Sequence, residues 1–134
     1  MQFIIASHGR YAIEARNSCQ MITGLTEKIH PIAFTESMGL EDVVCQYEEL
    51  IKKYTDDSIT IIVDILGGTP CNAAIIVANK YENITIVAGL SLAILIPLSL
   101  GESLEETILS MKENTKIVTT EKSLLQNEDG EEED

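Results

Sequence analysis

Residues 59–72 read ITIIVDILGGTPCN, and this stretch decides the fold. Ile59 to Val63 is an almost unbroken run of β-branched residues, the pattern of a strand buried on both faces. The run ends on Asp64. The loop ILGGTP then leads into a helix whose first turn holds Pro70, where a missing N–H leaves nothing unpaired. Upstream, residues 2–6 (QFIIA) form a second run of this kind, and it stops at Ser7-His8-Gly9. Two buried strands each breaking into a polar, glycine-containing turn before a helix is the pattern of a parallel α/β sheet.

Working outward, the remaining elements fall into alternation. Tyr11, Ala15, Cys19 and Ile22 recur at helical spacing, and Gly24 suits the position just past a helix end. Residues 29–34 (IHPIAF) predict a strand that Pro31 confines to an edge. Leu40, Val43, Val44, Tyr47, Leu50, Ile51 and Tyr54 trace one stripe of a helix. Its acidic Glu41 and Asp42 come first and its basic Lys52 and Lys53 last, as the helix dipole favours. Residues 83–88 predict a fourth strand, 92–99 a buried helix, 102–112 an amphipathic helix and 115–120 a late strand. The expected fold is α/β: an open, doubly wound, mainly parallel sheet of order 2-1-3-4, helices on both faces, with the fifth strand on an edge. One domain is expected over 1–120, followed by an acidic tail over 121–134 that reads as disordered.

Charge and cysteine usage exclude several classes. The 134-residue chain carries a net charge of −13, and six of its 22 carboxylates lie in the final eight residues, NEDGEEED. The body remains acidic without them, so nucleic acid and anionic lipid are poor partners. Cys19, Cys45 and Cys71 have neither zinc-ligand spacing nor an even count for a disulfide framework. They read as small buried residues of a reducing compartment, and no metal or other cofactor is expected. No basic segment precedes the first apolar run, so no secretory leader is expected and the location reads as cytoplasmic. Residues 84–100 are free of charge, but β-branched residues, a Gly89–Ser91 joint and Pro97 divide them into a strand and a short helix. Met21 and Met38 read as core filling.

In open parallel sheets, ligands bind beyond the carboxyl ends of the strands, where strand order reverses. With order 2-1-3-4, His8 and Asp64 end neighbouring strands about 4.8 Å apart and face each other there. A carboxylate on one ring nitrogen fixes the tautomer and leaves the other as a neutral nucleophile. The hydroxyls of Ser7 and Thr69, the approachable backbone at Gly9, Gly67 and Gly68, and two helix N-termini suit an anionic guest. A phosphorylated histidine is the simplest chemistry that uses both halves. Neither half is specific alone, since GGTP lacks the GK[ST] of a P-loop and Asp64 or Thr69 could serve only as a cap. His30, at the opposite end of the sheet, reads as structural.

These residues resemble the IIA component of the mannose-family bacterial sugar phosphotransferase system. The resemblance covers about residues 1–120. It rests on Ser7-His8-Gly9 and on the D-x-x-G-G-[ST]-P-x-N stretch from Asp64 to Asn72. It implies that His8 accepts a phosphoryl group through Nε2 from the carrier HPr and passes it to a IIB component. The sugar itself would enter through a membrane IIC/IID pair. It further implies that Asp64 holds the other ring nitrogen, that Gly67, Gly68 and Thr69 shape the phosphoryl pocket, and that the chain is a stand-alone IIA component. The family also includes homodimers that exchange a late strand. The chain departs from the family pattern at Gly89–Leu95, at Cys71 in place of an aromatic, and at Glu36–Gly39. A regulatory module phosphorylated on His8 would use the same residues. A receiver would need an acidic pair after strand 1, and flavin binding usually draws on stacking aromatics; with no Trp and two Phe, the chain suits neither.

Overall fold

In the computed structural model, residues 1–119 are described. The elements are β1 (Gln2–His8), α1 (Tyr11–Thr23), β2 (Ile29–Phe34), α2 (Leu40–Lys53), β3 (Ile59–Val63), α3 (Thr69–Lys80), β4 (Ile84–Ala88), α4 (Leu92–Ser99) and α5 (Leu104–Ser110). A single 3-10 turn, Met111–Glu113, follows. The four strands form one sheet of order β2-β1-β3-β4, and every pairing is parallel. β1 and β3 are therefore central and flanked on both sides, which is why their sequences are continuously apolar rather than alternating.

Alternate side chains of these strands feed two cores. Ile4, Ala6, Ile61 and Val63 point to one face and pack with Val43, Tyr47 and Ile51 of α2 and Ala73, Ala74 and Val77 of α3. Phe3, Ile5 and Ile62 point to the other, against Ala12, Ala15 and Cys19 of α1 and Ile94, Leu95 and Leu98 of α4. The 84–100 stretch is thus β4 followed by a short buried helix, and among the described residues no helix is long and apolar enough to cross a membrane.

Three expectations are corrected. Residues 115–119 form no strand: a strand needs a ladder partner, and Ile117 and Val118 stand 89% and 85% exposed. Residue 120 and the acidic tail over 121–134 lie outside the described residues. In α1 the buried face is Ala12, Ala15 and Cys19, so Tyr11 and Ile22 fall at its exposed margins. Small side chains let that helix lie close to the sheet. Met21 is 87% exposed and fills no core, whereas Met38 packs against the α2–α3 core.

Candidate functional site

The register brings the two decisive residues together. Ala6 pairs with Val63, so the chain leaves the sheet at His8 on β1 and at Asp64 just past β3. His8 pairs with Phe34 on its other side, and the two rings meet edge to face at 5.5 Å. Asp64 Oδ2 accepts the His8 backbone N–H at 2.9 Å and lies 2.8 Å from His8 Nδ1. Its other oxygen, Oδ1, accepts the Ile65 N–H at 2.9 Å.

A carboxylate can only accept, so the Nδ1 proton points to Asp64, and in the neutral ring the lone pair lies on Nε2. Exposure divides the pair: the His8 side chain is 47% accessible, the Asp64 side chain 12%. Burial pushes the Asp64 carboxyl up. The bonds from the His8 backbone, the His8 ring and the Ile65 N–H, with the charge of His8, outweigh it and hold the group below its usual range. Asp64 therefore stays ionised beneath the ring, placed to stabilise positive charge on it.

The α3 N-terminus abuts the ring. Gly68 is its N-cap, and a Cβ there would lie 2.9 Å from His8 Cε1 and 3.3 Å from Ile65 Cγ1. Only glycine leaves room for the imidazole. Gly67 adopts φ +85°, the left-handed conformation that lets the loop turn sharply into the helix. Thr69 opens the helix and Pro70 follows it, so the positive end of α3 begins close beside the His8 ring and attracts negative charge. Gly9, at φ +60°, turns the chain into α1, but its N–H is spent on Phe34 O at 2.8 Å.

Ser7 is placed elsewhere. It is fully buried, and its Oγ accepts the Ala12 N–H at 2.6 Å, satisfying the first turn of α1. Strand alternation explains this, because residue 7 points to the α1 face while residue 8 points to the α3 face. The structure thus assembles His8, Asp64, Gly67, Gly68 and Thr69 at one crevice and turns the Ser7 hydroxyl away. Sequence reasoning missed Tyr47, whose Oη donates to Pro70 O at 2.8 Å from beneath the crevice. Its place in an apolar helical stripe gave no signal of a polar role. Among the described residues, no group of three or more His, Cys, Asp or Glu side chains is placed to hold a metal ion.

Comparison with known proteins gives the family of the chain. The family model described as PTS system fructose IIA component (EIIA-man) matches residues 2–118. The sorbose-specific EIIA component of Lacticaseibacillus casei is 30% identical over 101 residues, 75% of this chain and 73% of that protein. The fructose-specific EIIA component of Bacillus subtilis is 32% identical over 103 residues, 75% of this chain and 70% of that protein. Among solved structures, the mannose/sorbose specific IIA subunit from Enterococcus faecalis superposes with a TM-score of 0.81 at 27% identity. That match covers 89% of this chain and 95% of the subunit. The chain belongs to the mannose-family IIA components of the sugar phosphotransferase system.

Proposed function

We propose that this IIA component is a cytoplasmic phosphoryl carrier that takes its phosphoryl group from phospho-HPr on His8 and delivers it to a IIB component, with uptake through IIC/IID downstream. One observation carries the reading: Nδ1 is held by Asp64 while the half-exposed ring lies close beside the N-cap glycine of α3. In the transfer, the Nε2 lone pair attacks phosphorus as the P–N bond to the donor histidine breaks, and the donor imidazole leaves with that electron pair. The Nδ1 proton stays in place, and the ring, now cationic, is balanced by Asp64. The first-turn N–H groups of α3 meet the phosphoryl oxygens in flight. Delivery to IIB is the same step reversed in direction. The open setting suits a macromolecular donor: Ile65 and Leu66, directly after Asp64, are 55% and 83% exposed, a surface that a protein can cover.

The same reading includes a homodimer. Among the described residues, β4 lies at a sheet edge with one side unpaired, and apolar Ile117 and Val118 have no ladder partner. A second copy's segment laid on β4 would satisfy both. Sedimentation should give twice the chain mass, and a chain shortened to end before Thr115 should aggregate; a stable, clean monomer from the shortened chain would contradict the exchange.

The functional test is a relay. Purified phospho-HPr should label the chain, and the labelled chain should pass the group to IIB, both in the presence of a chelator. A label that reaches the chain but never leaves for any IIB component would point to a regulatory module instead.

A further inference from the structure

We infer that Tyr47 is a positioning residue for phosphoryl transfer, its buried hydroxyl setting the N-terminus of α3 against the His8 ring. The inference rests on the reading of His8 as acceptor. Tyr47 is among the largest side chains with no solvent exposure, and it lies on α2 between Val43 and Ile51, both apolar and buried. A phenylalanine would fill this space and bring no polar atom inside. A buried hydroxyl persists only where its hydrogen bond repays desolvation, and this one is spent entirely on Pro70 O at 2.8 Å.

Pro70 lies two residues beyond Gly68, where any Cβ would lie 2.9 Å from His8 Cε1. The turn between them is otherwise held by its own atoms: the Asn72 N–H donates to Gly68 O at 2.9 Å and Asn72 Nδ2 to Gly67 O at 3.4 Å. Gly67 and Gly68 are the most freely moving backbone positions a chain can have, and Pro70 has no N–H to give. Among the described residues, the Tyr47 bond is the hydrogen bond that ties this turn to another element. Burial, the neighbouring Cys71 thiol and Asp64 push the phenol's pKa far up, so Tyr47 remains protonated and remains a donor. Its displacement would move the cradle relative to Nε2 without touching either reacting atom.

The test compares Tyr47→Phe with Val43→Ala, a buried change one helical turn away that softens the same core and keeps the hydroxyl. Transfer from phospho-HPr should lose about tenfold in kcat in Tyr47→Phe with little change in KM. Val43→Ala should keep both values despite a lowered Tm. The His8 Cε1–H proton resonance should shift in Tyr47→Phe and hold in Val43→Ala. Wild-type kcat with an unmoved resonance in Tyr47→Phe would overturn the inference, as would equal kcat losses in the two variants. Failure of wild-type protein to accept phosphate on His8 would refute the acceptor reading instead, and the resonance comparison would still test the tether.

Discussion

The chain's two histidines stand on adjacent strands of one sheet, at its opposite ends, and their surroundings give the same side chain different chemistry. His8 ends β1. Its Nδ1 is held by a largely buried carboxylate, its ring is half exposed, and the N-cap glycine of α3 lies close beside it. His30 lies near the start of β2. Its Nε2 is engaged with Gln2 Oε1 at 2.8 Å, and its ring packs on Tyr54 at 5.0 Å. Burial there, with the cations of Lys53 and Arg16, lowers its pKa and favours the neutral ring. One histidine therefore has Nδ1 held by a carboxylate on a half-exposed ring, and the other has Nε2 occupied in a setting that rejects positive charge. In a parallel sheet the two ends differ by construction, because the helices that follow the strands begin at the carboxyl end.

The largest effect that could break this contrast is loss of the acceptor. His8→Ala should abolish an acid-labile, alkali-stable label delivered by phospho-HPr, whereas His30→Ala should keep it. Survival of the label in His8→Ala would erase the distinction. Next is the carboxylate. Asp64→Asn should fold but transfer about tenfold to ten-thousandfold more slowly, since an amide can present the wrong group to Nδ1 and cannot balance a cationic ring. An unchanged rate in folded Asp64→Asn would reduce Asp64 to a turn residue. Gly68→Ala should cost about a hundredfold in transfer rate, because its Cβ would drive the ring away from Asp64 and the α3 N-terminus. Equal rates would show that the ring has room to move.

The smallest effect lies at the other end of the sheet and sharpens the contrast through pH. The pKa of His30 is lower in the fold than in the unfolded chain, so its contribution to stability is complete above about pH 6.5 and declines as pH falls below that value. Replacing it by Gln should flatten the fall in Tm between pH 7.5 and 5. Asp64, also depressed, contributes above its ordinary value and is lost only at more acidic pH, so the pH 5–7.5 window isolates His30. An identical Tm profile in wild-type protein and His30→Gln would show that His30 is equally hydrated in both states.

Much of this contrast was legible in the sequence because its determinants are local. The apolar runs at 2–6 and 59–63 specify central parallel strands, and once they are neighbours, the residues that end them must meet. Gly67, Gly68 and Pro70 announce a sharp turn into a helix through backbone conformation alone. What stayed hidden depends on direction or on partners. Ser7 sits beside His8 in sequence, but the strand pleat sends it to the opposite face, where it caps α1. Tyr47 matched an apolar helical stripe, and nothing in that spacing told that its hydroxyl would reach Pro70. The segment at 115–119 has strand-like composition, yet strand structure belongs to a pair of segments, and among the described residues no strand pairs with it.

The most direct test is to locate the phosphoryl group on the atom. With ¹⁵N-labelled histidine, the chain is phosphorylated by enzyme I, HPr and phosphoenolpyruvate, and nitrogen–phosphorus coupling is read by NMR. The account predicts a single phosphohistidine, at His8, coupled through Nε2 while Nδ1 keeps its proton. Coupling at Nδ1 of His8, or at either nitrogen of His30, would contradict it.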